Sequence, residues 1–245
     1  MNGYAAFICI ASFVVMFFVA VSIIVRHSGW NRLSQIVAIC LSVVMCCGSF
    51  LFMIVLFREV GAMASKPVIY FYPEEEMNIS VKLSKPENIT CNYPEYNEGW
   101  NVIAKPNGDL HDVASGKDLY CLYYECSADV SQVEEDGFVV KSAGIADFLD
   151  EKLEILGLND KERNEFIIYW LPILEANEYN YIRFLTEDEI NEVQQFDITP
   201  KPDTVIRIMM SYKGLDKPIE VKEQELKTAE RAGFTVVEWG GTEIK

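Results

Sequence analysis

The chain has 245 residues, half of them apolar, and a net charge of −16 at neutral pH. Residues 1–65 carry three arginines and one glutamate, whereas residues 66–245 carry 18 basic and 36 acidic side chains, a net charge of −18. Because proteins bind phosphate backbones through lysine and arginine, this excess of acid argues against a nucleic-acid partner. The sequence therefore predicts an apolar N-terminal part and an acidic, solvated remainder.

Two apolar segments dominate residues 1–65. Residues 4–25 and 36–57 each form a run of 22 without a charged side chain. A helix of that length is about 33 Å long and can cross a hydrocarbon core of about 30 Å. We therefore expect two transmembrane spans, with the lipid bilayer as a partner and a two-pass localisation in the cell membrane.

The arginines around these segments favour one orientation. Arg26 and Arg32 lie in the turn between them, and the short N-terminal tail contains no basic residue. Positive charge prefers the cytoplasmic side, so the pattern predicts an extracytoplasmic acidic domain. Arg58 and Lys66 weaken this bias, and a cytoplasmic-facing regulatory domain stays open as an alternative.

The elements after residue 65 are predicted in chain order from side-chain periodicity. Alternating, β-branched and aromatic runs predict strands over residues 68–72, 78–83, 88–93, 100–104, 119–126 and 138–141. Apolar residues at helical spacing predict a helix over 145–158 that Gly157 ends. A second helix starts at Asn159 or Asp160 and is kinked or stopped near Pro172. The remaining strands are predicted at 181–185, 204–212, 219–221 and 234–239. The acidic segment 187–192, between the first two of these, is predicted to be a loop or one helical turn.

This order predicts an α+β fold in two domains. Residues 1–65 form an N-terminal two-helix transmembrane hairpin, with spans at about 4–25 and 36–57. Residues 66–245 form one β-rich soluble domain with a central helical pair. The sequence does not set the oligomeric state.

Three cysteines of the acidic domain offer a disulfide if that domain lies outside the cell. Cys121 and Cys126 are five residues apart, so on one strand their side chains point to opposite faces. Cys91 is therefore expected to pair with either Cys121 or Cys126.

Four sequence motifs together resemble those of an uncharacterised family of bacterial proteins. They are KPVIYFYP at 66–73, Tyr93-Pro94 with Gly99-Trp100, NEFIIYWLP at 164–172 and GFTVVEWGG at 233–241. The resembling proteins come mostly from anaerobic Firmicutes and are membrane-tethered or exported. The resemblance covers residues 66–241, and it implies a bacterial source and an external domain but no catalytic residue.

Candidate catalytic groups are few. His111 is the only histidine after residue 65; with Asp112 it is either a catalytic dyad or a solvated loop residue. Glu125 and Glu238 are each flanked by aromatic residues in a predicted strand, so they are the first carboxylates to consider for a paired-carboxylate hydrolase. The alternative is that both are outward-facing residues of a sheet. No metal-site or cofactor motif is present, so no metal and no cofactor is predicted.

Candidate ligand-binding residues lie in the segment CNYPEYNEGW. Tyr93, Tyr96 and Trp100 either contact a carbohydrate or a peptide there, or close the loop by packing against each other. The sequence thus favours a membrane-anchored extracytoplasmic binding or interaction module over an enzyme. Its expected partners are an envelope protein, a peptide or a carbohydrate, and an envelope hydrolase is the main alternative.

Overall fold

The computed structural model describes residues 63–127 and 134–244, together with Gly29, Arg32, Leu33, Ile36 and Cys40. The chain divides into two compact units, Met1–Val60 and Gly61–Lys245. The boundary predicted from sequence lay at residue 65. The architecture that follows belongs to the second unit.

The predicted transmembrane hairpin is corrected by the structure. Among the described residues, no helix has both the length and the apolar character that a membrane crossing requires. The helices with defined bounds contain 11, 15 and 7 residues, whereas a span needs about 20. The predicted spans, 4–25 and 36–57, lie outside the described residues except for Ile36 and Cys40.

Two further predictions depended on these spans and are corrected with them, namely the description of the chain as a transmembrane protein and its two-pass localisation in the cell membrane. The fold class is corrected as well. Over residues 63–127 and 134–244 the protein is β-rich and contains three helices, without a hairpin that crosses a membrane.

Eight strands form the larger sheet, in the order β12-β8-β9-β11-β13-β1-β7-β3. The β11–β13 and β8–β12 pairs are parallel, and the other pairs are antiparallel. The strands are β1 Met63–Tyr72, β3 Ile89–Tyr93, β7 Leu122–Ser127, β8 Asp136–Lys141, β9 Tyr179–Phe184, β11 Thr204–Leu215, β12 Lys222–Glu223 and β13 Thr235–Glu243.

Five strands form the smaller sheet, in the order β10-β2-β4-β5-β6, and all of its pairs are antiparallel. They are β2 Met77–Leu83, β4 Trp100–Ala104, β5 Leu110–Asp112, β6 Lys117–Leu119 and β10 Phe196–Thr199.

The helices are α1 Ile145–Ile155, α2 Asp160–Leu174 and α3 Glu187–Val193. Asn159 caps α2: its side chain accepts a hydrogen bond from the Glu162 amide, and the Glu162 side chain accepts one from the Asn159 amide. This reciprocal pair satisfies amides that the first helical turn leaves without partners. A kink or an early stop was predicted near Pro172; the proline lies inside the helix, two residues before its end at Leu174.

The two faces of the larger sheet carry two separate cores, because successive side chains of a strand point to opposite faces. Along β1, Ile69 and Phe71 belong to a core shared with the smaller sheet. Val68 and Tyr70 belong to a second core beneath α1 and α2. We call these two sides the inter-sheet face and the helix face.

Several predicted strands differ from the observed ones. The run 119–126 is divided between β6 and β7, which belong to different sheets, and residues 219–221 form no strand. β13 continues through Gly240 and Gly241, where a strand end was expected. The short strands β5 and β10 were not predicted, and the acidic segment after Thr186 is the full helix α3, capped by Thr186 and Glu189.

Candidate functional site

The predicted aromatic loop is mostly core. Tyr96 and Trp100 are 6% and 1% exposed and meet edge to face, with their ring centroids 4.7 Å apart. The Tyr96 hydroxyl accepts a hydrogen bond from the Leu83 amide at 2.8 Å, and Trp100 Nε1 donates one to the Pro94 carbonyl at 2.9 Å. These two residues therefore close the loop, which was the alternative interpretation. Tyr93 is the exposed member of the three.

The two candidate carboxylates do not face each other. Glu238 pairs in register with Ile69, whose side chain lies on the inter-sheet face. Glu125 pairs in register with Cys91. Its neighbours along β7, Tyr124 and Cys126, both have their side chains in the inter-sheet core. Because alternate residues point to opposite faces, Glu125 lies on the helix face. The sheet separates the pair, so together they cannot flank a glycosidic bond.

Glu238 is instead part of a buried polar network. Its side chain is fully buried; Tyr124 Oη donates to one oxygen at 2.5 Å, and Arg207 Nε donates to the other at 2.6 Å. Burial and the neighbouring carboxylate raise the pKa of Tyr124 far above its ordinary value. Burial tends to lower the pKa of Arg207, but the Glu238 charge outweighs it and the pKa is raised. This arrangement holds an ion pair between the sheets, a structural role.

His111 lies in β5 rather than in a loop, and its partner is not Asp112. Its Nδ1 is 2.8 Å from Asp118 Oδ1, and both side chains are well exposed. Asp112 is buried and accepts hydrogen bonds from the Ser115 amide and hydroxyl. The His111–Asp118 pair borders a cavity of about 350 Å³ whose described lining contains no Ser, Thr or Cys nucleophile.

The three cysteines of the domain are free thiols, so the structure contains neither of the two disulfides considered. Cys126 packs into the inter-sheet core, whereas Cys121 packs against the helix-face core. The side chains of Cys121 and Cys126 thus point to opposite faces of the sheet, as their five-residue spacing predicts. Cys91 is exposed and pairs in register with Glu125, on the face opposite Cys126.

A cluster of tyrosines lies on the helix face, where α2 borders the outer strands of the larger sheet. Tyr93 and Tyr123 pair in register on β3 and β7. Tyr70 on β1 lies 6.4 Å, ring centroid to ring centroid, from Tyr120 in the β6–β7 link. Tyr169 reaches this area from α2. We call these five residues the tyrosine face; Tyr93 and Tyr120 are 49% and 50% exposed.

Three lysines stand over three different rings of the tyrosine face. Lys66 Nζ is 4.3 Å from the Tyr169 centroid, Lys161 Nζ is 4.8 Å from that of Tyr120, and Lys117 Nζ is 5.5 Å from that of Tyr93. Ammonium groups at such distances are attracted to the ring faces. The face therefore combines flat aromatic rings with positive charge in a domain that is otherwise acidic.

The hydroxyl groups of Tyr70 and Tyr123 and the thiol of Cys121 remain protonated at neutral pH, because their pKa values are raised. Tyr70 Oη donates to Glu165 Oε2 at 2.5 Å, and burial and this carboxylate raise the pKa of Tyr70 well above its usual range. Burial and Glu165 raise the pKa of the Cys121 thiol to about 11. Burial and Glu125 raise the pKa of Tyr123. Because these groups stay protonated, they are not activated nucleophiles.

No protein-family model, no curated protein and no solved structure matches this chain. Function must therefore be inferred from the site. The resemblance to exported bacterial proteins stays a prediction.

A second cavity, of about 650 Å³, lies between α3, β10 and β11. Its charged lining is mixed, since Lys201 and Arg207 are offset by Glu187 and Asp197. Arg207 Nη1 already donates to the Asn191 side chain and to a backbone carbonyl. The cavity favours no single class of ligand.

Of the residues predicted from sequence, the tyrosine face includes Tyr93 and adjoins Glu125 and Cys91. Sequence reasoning missed Tyr70, Tyr120 and Tyr169, which lie in separate elements. Tyr123, two residues before Glu125, was not predicted as a site residue either. The alternation within LYCLYYEC is a signal for one face, because Cys121, Tyr123 and Glu125 share a parity.

Proposed function

We propose that residues 66–245 form a carbohydrate-binding domain without catalytic activity, whose contact surface is the tyrosine face. One observation carries this proposal: three tyrosine rings, two of them half-exposed, are each accompanied by a lysine on the same surface. A patch of exposed aromatic rings with polar groups at its edges is typical of a recognition surface.

The chemistry of the face suits a sugar. A pyranose ring has an apolar C–H face that packs against a flat aromatic ring, and its hydroxyl groups need hydrogen-bond partners at the edge. The lysine ammonium groups donate such bonds, as do the hydroxyl groups of the half-exposed Tyr93 and Tyr120. Glu125, beside Tyr123, supplies an acceptor.

The hydrolase alternative lacks a comparable support. Its two candidate carboxylates lie on opposite faces of the sheet, and Glu238 is saturated by Tyr124 and Arg207. Glu125 stands on the tyrosine face, where it would contact the ligand without a second carboxylate at the spacing that hydrolysis needs.

Native affinity electrophoresis of the full-length chain tests the proposal. Gels contain soluble polysaccharides of different sugar composition, neutral and anionic, and retardation measures binding. We expect at least one polysaccharide to retard the wild type. Tyr93→Ala and Tyr120→Ala should each weaken that binding about tenfold, because one stacked ring contributes about 1.4 kcal/mol.

Tyr179→Ala is the matched control. Tyr179 is partly buried on β9, which β11, β13 and β1 separate from β7, so this variant should bind like the wild type. If no polysaccharide retards the wild type, or if Tyr179→Ala weakens binding as much as Tyr93→Ala, the proposal is wrong.

A further inference from the structure

We infer that the carbohydrate is anionic, with an acid group beside each sugar ring that stacks on a tyrosine. This inference rests on the proposed function and names the ligand class of the same surface. Its basis is the repeated placement of an ammonium group over a tyrosine ring, although Lys66 also lies 5.7 Å from the centroid of the buried Trp239 ring. Lys66 comes from β1, Lys117 from β6 and Lys161 from α2, so three separate elements deliver the same combination.

The three lysines differ from the other described lysine that stands over aromatic rings. Lys152 lies over Phe138 and Phe148, and its ammonium group pairs with Glu151 at 2.9 Å. Within residues 66–127 and 134–244, by contrast, no carboxylate lies within 4.0 Å of the ammonium groups of Lys66, Lys117 or Lys161. Their charges are thus available to an external anion.

Two carboxylates near these rings accept hydrogen bonds from tyrosine hydroxyl groups. Glu165 Oε2 accepts a hydrogen bond from the Tyr70 hydroxyl at 2.5 Å, and Glu125 lies against Tyr123. A domain of net charge −18 repels a polyanion at long range. Binding of an anionic ligand therefore depends on local cations, and the lysines that flank the tyrosine face provide them.

The combination of one tyrosine ring with one lysine ammonium group fits a uronic acid unit. Each such unit presents one apolar ring face and one carboxylate, which are the counterparts of one tyrosine ring and one ammonium group. The lysine side chain is long and flexible, so its ammonium group can turn from the ring to the carboxylate while the ring accepts the sugar. Charge-assisted hydrogen bonds of this kind are stronger than those to neutral hydroxyl groups.

A matched pair of ligands provides the test. Polygalacturonate and its methyl ester share one sugar backbone, but the ester lacks the negative charge. The full-length chain is run in affinity gels that contain either polymer, at low and at raised salt. We expect polygalacturonate to bind at least about tenfold more tightly than the ester, and salt to weaken this preference because it screens exposed charges.

Lysine variants test whether the preference for polygalacturonate depends on the lysines of the tyrosine face. Lys117→Gln and Lys161→Gln should each weaken polygalacturonate binding about threefold to fivefold, the effect of one exposed ion pair. Their effect on any binding of the ester should be smaller than on polygalacturonate, because glutamine keeps a hydrogen-bond donor but loses the charge. Lys141→Gln is the control, because Lys141 is exposed at the end of β8, far from the tyrosine face in strand order.

Three outcomes would overturn the inference. Equal binding of the ester and the acid, still lost in Tyr93→Ala, refutes an anionic ligand but leaves carbohydrate binding in place. Polyglutamate binding as tight as that of polygalacturonate, unaffected by Tyr93→Ala, shows attraction by charge alone and refutes both proposals. Binding of neither polymer, with a neutral polysaccharide bound instead, refutes the anionic ligand only.

Discussion

At the scale of single residues, the buried pair of Arg207 and Glu238 should contribute strongly to stability. Arg207→Met leaves the Glu238 carboxylate fully buried with Tyr124 as its remaining donor. Removing one partner of a buried ion pair costs about 3–5 kcal/mol. We expect a loss of that size in the free energy of unfolding, measured with urea.

Arg183→Met is the matched control for this substitution. Arg183 on β9 pairs with Asp136 and Glu189, whose side chains are 36% and 37% exposed. Arg183 itself is buried, but its two partners keep contact with water when it is removed, so the loss should be smaller than for Arg207→Met. The double variant Arg207→Met/Glu238→Leu should be more stable than Arg207→Met. Equal losses for the two arginine variants would contradict the structural role of the buried pair.

The thiols of the domain should differ sharply in reactivity. Burial, and next the Glu238 charge, raise the pKa of Cys126 to about 11, and that of Cys121 is raised equally. At pH 8 a thiol of that pKa is only about 0.1% thiolate, the reactive form. We expect iodoacetamide to modify exposed Cys91 first, as read by peptide mass spectrometry.

Unfolding should remove this difference, because all three thiols then become exposed. Modification of Cys126 in the folded protein as fast as that of Cys91 would contradict the structure.

The residues of the candidate site were only partly predictable from sequence. Tyr93, Tyr96 and Trp100 are equivalent in the sequence, since each is an aromatic residue in one turn-rich segment. What distinguishes them is register: Tyr93 ends β3 on the helix face, while Trp100 begins β4 in the inter-sheet core. Such pairing between distant segments is not encoded in local periodicity.

At the scale of elements, the glycines of β13 determine how closely α2 approaches the sheet. A Cβ atom at Gly241 would lie 2.6 Å from Trp170 Cζ2 and 2.9 Å from the Met210 carbonyl. We expect Gly241→Ala to lower the free energy of unfolding by about 1–3 kcal/mol, the usual cost of overpacking. Chemical denaturation measures this change.

A double-mutant cycle with Trp170→Phe tests the cause. The smaller ring removes the Trp170 atoms that the new methyl group would meet, so the cost of Gly241→Ala should be lower in that background. Strictly additive effects of the two substitutions would exclude the contact with Trp170 as the cause.

Elements with strong local signals were predicted well, and short ones were not. The alternation of residues 78–83 and the cap at Asn159 define β2 and the start of α2 within one residue. The four-residue strand β10 exists because it pairs with β2, over 110 residues earlier in the chain. The helix α3 did have a local signal, Thr186 followed three residues later by Glu189, which is a capping box.

At the scale of the whole molecule, charge repulsion should limit stability. Residues 66–245 carry a net charge of −18, and a net charge far from zero destabilises the compact state. Adding sodium chloride to about 0.5 M screens this repulsion, and we expect a rise in melting temperature of about 2–4 °C. Calorimetry at low and high salt measures it.

Glu74, Glu75 and Glu76 provide a control for this effect. All three are exposed in the turn between β1 and β2. Their replacement by glutamine should raise the melting temperature at low salt and reduce its dependence on salt. A salt dependence that is unchanged in the triple variant would show that this repulsion is not its source.

The position of β13 in the larger sheet also has a consequence for the order in which the protein can fold. β13 follows every other described strand in the chain, yet it lies between β1 and β11. Without it, the sheet consists of two unconnected parts, β3-β7-β1 and β11-β9-β8-β12. A ribosome must therefore translate the chain through residue 243 before these halves can join, so the sheet is completed only after nearly all of this sequence has been synthesised.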